Sequence, residues 1–162
     1  MRVLEHSLLD ELAAQATASV RGRAHYNIHA GPADIVQRFI VVANRESYFR
    51  PHRHRTRAEL ACVLRGSFDV VTFDDSGQVV SRDVTGEGAA GMAYEMPPAT
   101  WHTLIARVDG SAFLEVKQGP YDPATASEFA PWAPAEGTAR VRDFLTWLRA
   151  AQPGSQNPQN LR

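Results

Sequence analysis

The chain has 162 residues, 44% of them hydrophobic and 22% charged, the size and make-up of a single globular domain able to bury a core without cross-links. Its net charge of −1 gives no global field toward nucleic acid or an anionic membrane surface. A single cysteine, Cys62, excludes an internal disulfide and fits a reducing compartment. Glu5, His6, Asp10 and Glu11 interrupt the N-terminal apolar pattern that a secretory signal needs, and no apolar run approaches the roughly 20 residues of a membrane span. The expectation is a cytoplasmic domain with a small-molecule ligand.

Ser7 followed by LLDELAAQATAS predicts an N-capped helix over about 8–19, with Leu8, Leu9, Leu12 and Ala16 on one stripe. Residues 20–29 are mixed. DIVQRFIVVA at 34–43 is β-branched and aromatic and predicts a strand. After a loop over 44–51, further strands are predicted at 58–64, 67–73, 78–84, 92–96, 101–108 and 112–117. Asp74-Asp75-Ser76-Gly77 and Asp109-Gly110 supply hairpin turns. From Gly119 the chain is Pro-rich and irregular. Val141, Phe144, Leu145 and Leu148 then recur at helical spacing and predict a helix over 138–151. The segment 152–162, with QPGSQNPQN, reads as a disordered tail. Short strands between Gly and Asp turns, with helices only at the ends, predict one all-β sandwich or barrel over 1–151, its core at about 34–118.

The chemistry concentrates in PHRHRTRAELACVLRG, residues 51–66. Residues two apart on a strand share a face, so His52 and His54 can aim at one point while Arg53 and Arg55 face away. A turn after Arg55 would return Glu59 to that point from a neighbouring strand. In GMAYEMPPATWH, residues 91–102, the turn Pro97-Pro98-Ala99-Thr100 delivers His102. Three imidazoles and one carboxylate form a mixed N/O set suited to Fe(II), Mn, Ni, Cu or Zn. Such a set leaves coordination positions open for water or substrate. A single histidine is more often a surface or satisfied core residue; the four residues together point to a metal. Cys62 is out of phase with Glu59 and reads as packing.

The pattern resembles the cupin superfamily, whose motifs run G-x5-H-x-H-x3–4-E-x6-G and G-x5-P-x-G-x2-H-x3-N. The first is met at His52, His54, Glu59 and Gly66, with Glu46 at its leading glycine position. The second is met at Gly91, Pro97 and His102, with Ala99 at its middle glycine and Ala106 at its final asparagine. Over more of the chain, RAHYNIH, VQRFIVVAN, SYFRPHRH, the WHT around His102, EVKQGPY and FLTWL are similar to WbuC-type cupin-fold metalloproteins. The resemblance implies a double-stranded β-helix, or jelly-roll barrel, with flanking helices and one divalent ion (Fe, Zn, Ni or Mn) held by His52, His54, Glu59 and His102. It also implies an association with surface-polysaccharide biosynthesis.

Five further residues are candidates for substrate binding. Arg38 is a charge in an apolar strand, either facing outward or clamping an anion. Glu115 and Lys117 share a face, and either line the barrel or form a solvated pair. Tyr48 and Tyr121 are candidates for the barrel mouth. Arg50, Arg53, Arg55 and Arg57 read as a solvated basic cluster. Two functions are compatible with this set. One is an enzyme acting on a small polar or acidic molecule, or a sugar-linked metabolite, by isomerase, epimerase or dioxygenase-type chemistry. The other is a non-catalytic, metal-dependent binding or sensory module. The apolar strand at 34–43 and the end helices suggest a homodimer surface.

Overall fold

The computed structural model describes residues 1–158. Its elements in chain order are α1 (His6–Ala18), β1 (Arg23–Asn27), β2 (Val36–Ala43), β3 (His52–Arg53), β4 (Glu59–Arg65), β5 (Ser67–Phe73), β6 (Val79–Gly86), β7 (Ala93–Met96), β8 (Trp101–Ala106), β9 (Ser111–Gln118), β10 (Glu128–Phe129) and α2 (Arg140–Ala150). Two five-stranded sheets form, in the orders β1-β2-β9-β4-β7 and β10-β3-β8-β5-β6, and every pairing between named strands is antiparallel.

Strand parity divides the core into three clusters. On β2, Val41 and Ala43 point into the barrel beside Leu104, Ala106 and Phe113. Their neighbours Ile40 and Val42 point outward and are covered by Leu9, Leu12 and Ala16 of α1. On β8, Leu104 and Ala106 face the barrel, while Trp101 and Ile105 pack under Phe144, Leu145 and Leu148 of α2, together with Trp132. β8 is buried on both faces, and β2 is so from Ile40 to Ala43, which is why IVVA reads as a continuous apolar run rather than as alternation.

Several local expectations change. Ser7 lies inside α1; the N-cap is Glu5, whose side chain makes no capping bond. The mixed segment 20–29 holds β1. Its alternation is inverted in polarity, because Ala24 and Tyr26 pack toward α1 while Arg23, His25 and Asn27 face the cavity described below. Strand β2 is interior to its sheet and covered by α1, so it presents no edge for a partner. The segment expected as a tail is packed as far as residue 158: Val79 N–H donates to Ser155 O at 3.0 Å, Gly154 N–H donates to Val79 O at 2.8 Å, and buried Asn157 donates to Trp132 O at 3.1 Å. Residues 159–162 of that expectation lie outside the described part.

Two turn positions explain the motif spacing. Gly66, between β4 and β5, has φ +63°, and a Cβ there would lie 2.5 Å from Ser111 Oγ, so only glycine fits. Ala99 stands where the second motif carries glycine and still adopts the left-handed conformation, φ 62°. Its N–H donates to His54 O at 2.7 Å, tying the turn before β8 to the His54 backbone.

Candidate metal centre

β3 and β8 are in register at His52 and His102, which brings the two rings to a centroid separation of 4.5 Å. His54 follows β3, and Glu59 opens β4. Ligand nitrogens of His52, His54 and His102 all lie within 4.8 Å of one another, so the three can hold one metal ion.

The second nitrogen of each ring is already engaged. His52 Nδ1 is 3.0 Å from Arg50 O, His54 Nδ1 is 2.5 Å from Ala126 O, and His102 Nδ1 is 2.8 Å from Thr100 O. A carbonyl only accepts, so each Nδ1 carries the proton and each neutral ring keeps its lone pair on Nε2. This is the outer arrangement that orients imidazoles toward a metal. Glu59 Oε2 lies 2.9 Å from His54 Nε2, and Oε1 lies 3.1 Å from His102 Nε2. A carboxylate facing two nitrogen lone pairs needs a proton or a cation between them. His102 Nε2 is buried and, although close to Glu59, has no aligned hydrogen-bond partner. The donor set therefore fits a divalent ion.

The electrostatics follow from burial and from this packing. Desolvation, followed by the nearby His102, pushes the His52 imidazole down to about 3, which favours the neutral form a metal requires. Burial would lower His102, but Glu59 beside it outweighs burial and raises it. Burial would raise Glu59, but His102 and His54 outweigh it and hold the carboxyl well below its ordinary range. Burial, then the charge of Glu59, pushes Glu115 up to about 7 against the pull of Lys117.

A cavity of about 530 Å³ opens on His52 and His102, with Gln37, Glu59, Glu115 and Lys117 also in its lining. Glu115 and Lys117 thus face the barrel interior, with Lys117 Nζ 2.5 Å from Glu115 Oε1, and Tyr121 stands half-exposed at the lining. Two other candidates do not join them. Arg38 is exposed on the face of β2 opposite to Gln37, Phe39 and Val41, which line the cavity. Tyr48 is buried against Phe144 in the cluster under α2, and its hydroxyl donates to Pro134 O at 3.0 Å. Within the basic cluster, Arg53 and Arg55 both pair with Glu128, and Arg53 stacks over Trp101. Sequence reasoning missed Gln37, Phe39, Phe49 and Arg23 as lining residues. Gln37 and Phe39 share strand parity with Val41, but nothing local says which face of β2 is inward; for Arg23 and Phe49 no local signal exists.

A family model described as a domain of unknown function (DUF6016) matches residues 4–85, which is 82 of the 162 residues. The chain belongs to this family. The DUF6016 match includes His52, His54 and Glu59 and ends before the strand that carries His102. No curated protein matches the chain. Among solved structures, protein SO0799 from Shewanella oneidensis is 10% identical with a TM-score of 0.55, covering 83% of this chain and 90% of that one. A variant of Bacillus subtilis oxalate decarboxylase OxdC is 20% identical with a TM-score of 0.51, over 66% of this chain and 27% of that one. Oxalate oxidase in complex with the substrate analogue glycolate is 16% identical with a TM-score of 0.52, over 71% and 58%. The DUF6016 chain thus spans less than two thirds of both oxalate enzymes. These likenesses show the fold, a cupin jelly-roll barrel. No helix of the described residues is long and apolar enough to cross a membrane.

Proposed function

We propose that the protein holds one divalent ion with His52, His54 and His102, that Glu59 completes the set, and that the ion anchors a small acidic molecule in the cavity. The observation that carries this reading is the shared tautomer: three Nδ1 atoms are tied to backbone carbonyls, which leaves three Nε2 lone pairs converging beside one carboxylate. The donors suit Fe, Zn, Ni or Mn. A bound ion supplies Lewis-acid polarisation of a ligand oxygen. The chain's own residues do the rest. Lys117, which lines the cavity, would bind a carboxylate at its polar end, and Glu115, raised to about 7, would accept or return a proton there. This favours isomerase or epimerase-type proton transfer, with oxygenase-type chemistry as the other enzymatic form. The motifs shared with WbuC-type proteins support a sugar-linked acid from surface-polysaccharide biosynthesis as one ligand class.

A non-catalytic binding or sensory module is the second reading. It is favoured by the Lys117–Glu115 ion pair, which occupies the carboxyl a reaction would use. A homodimer is part of either reading, through exposed Ile35, Val36, Leu60 and Leu64; a monomer mass by light scattering would refute it.

Calorimetric titration of metal-loaded and metal-free protein with small acids tests the anchor, and binding that ignores the metal overturns it. For ligands that bind, exchange of carbon-bound protons in D2O, followed by NMR and abolished by Glu115→Gln, separates the enzyme from the binder.

A further inference from the structure

We propose that the ligand is an acid with an apolar body, of the size of an aryl- or alkyl-substituted 2-oxo or 2-hydroxy acid, rather than a bare sugar acid. This rests on the metal-anchored reading above and narrows it.

The cavity changes character along the strands that line it. On β9, Lys117, Glu115 and Phe113 share one face. Their partners across the β2 pairing are Gln37, Phe39 and Val41. Lys117 also stands opposite Glu59 on β4, so the first layer is the polar layer of the metal centre. On β8 the residue two beyond His102 on the same face is Leu104. The cavity therefore passes from His52, His102, Gln37 and Lys117 to Val41, Leu104 and Phe113 within four residues of strand, roughly 13 Å.

Within the far layer Val41, Leu104 and Phe113 offer a ligand no hydrogen-bonding group, while His25, the cross-strand partner of Val41, lines the cavity beside them from the edge strand β1. Val41, Leu104 and Phe113 belong to the barrel core, so the apolar wall of the cavity is continuous with packed interior. Phe39 and Phe49 are only half-buried and complete this wall. Each ring also carries a cation, Lys117 Nζ at 5.1 Å from the Phe39 centroid and the Arg23 guanidinium at 4.9 Å from that of Phe49. A hydroxyl-rich body pressed against Val41, Leu104 and Phe113 would give up water that these side chains do not replace, whereas an aryl or alkyl body would gain from leaving it. A charged head at Lys117 and the triad with an apolar body toward Phe113 matches both layers at once.

The test is calorimetry on Zn(II)-loaded protein with phenylpyruvate, pyruvate and galacturonate, repeated on metal-free protein and on Phe39→Gln and Phe49→Gln. Phenylpyruvate should bind at least tenfold tighter than either other acid. Each variant should remove that advantage. Galacturonate or pyruvate matching phenylpyruvate on the wild-type protein overturns the apolar wall while leaving the metal anchor in place. A phenylpyruvate affinity that is equal with and without metal, its advantage over pyruvate kept, supports the wall and overturns the anchor. Absence of binding by all three overturns both. The three-ligand comparison on wild-type protein decides the matter even where a variant fails to fold.

Discussion

His52 on β3 and His102 on β8 are direct cross-strand partners, and only two residues of β3 are needed to align them. The pairing makes metal binding depend on both rings. Purified protein should carry about one divalent ion per chain, and His102→Ala should lower the affinity for it by more than the 10–100-fold typical of losing an outer-shell partner. Elemental analysis reads this directly. Unchanged metal content in a His52→Ala, His102→Ala double variant would sink the assignment.

Lys117 and Arg38 sit on adjacent strands but on opposite sides of the sheet. Lys117→Ala should weaken acidic ligands about tenfold, the effect of losing one charge-assisted hydrogen bond. Arg38→Ala should bind every ligand as the wild type does. Calorimetry that finds the reverse order would place the anion on the outer face.

Arg82 joins three parts of the molecule. Its guanidinium donates to the carbonyls of Leu148, Arg149 and Ala151 at the end of α2 and to buried Asp69 at 2.8 Å. Asp69 keeps a second partner in Arg107. Arg82→Met should cost about 3 kcal/mol, because it leaves helix-end carbonyls and part of a buried carboxylate unpaired. The melting temperature should fall by roughly 6–12 °C. A change of under a degree in a thermal melt would remove this clamp from the account of how α2 is held.

Glu136 takes hydrogen bonds from Arg21 and Arg23 at 2.8 and 2.6 Å. Burial would raise its carboxyl, but the two guanidinium groups outweigh burial and hold it below its ordinary range. A lowered folded pKa contributes stability above the unfolded value, about 4.3, and loses it as pH falls through the folded value. Wild type should therefore exceed Glu136→Gln by no more than about 1 kcal/mol near neutral pH, with the gap closing below about pH 4. Denaturant melts across pH 3–7 measure the gap; one that widens toward acid contradicts the sign.

Ala99 holds a left-handed backbone in the turn that delivers His102. That conformation costs an L-residue about 1 kcal/mol, which glycine avoids. Ala99→Gly should raise stability by up to that amount, less the added freedom of the unfolded chain, without altering metal content. A destabilised variant would show that the methyl group packs usefully.

Much of the site was legible because its geometry is local. The His52-x-His54 spacing, the return to Glu59, the tight turn at Gly66 and the proline-bounded approach to His102 are each set within a few residues, where strand parity and turn chemistry decide direction. The α2 stripe of Phe144, Leu145 and Leu148 was legible for the same reason. Other features required the folded chain. Strand β2 is apolar on both faces from Ile40 to Ala43, because one is covered by α1 and the other lines the barrel, so parity could not say that Gln37 faces inward and Arg38 outward. The polar face of β1 is turned to a cavity, so its amphipathic signal was weak. The carbonyl that fixes the His54 tautomer belongs to Ala126, 72 residues away, and buried Asn157 donates to Trp132 O, 25 residues away. Local sequence determined which groups share a strand face. Only the packing of two sheets and two helices decided what each face meets, because that depends on partners distant in the chain.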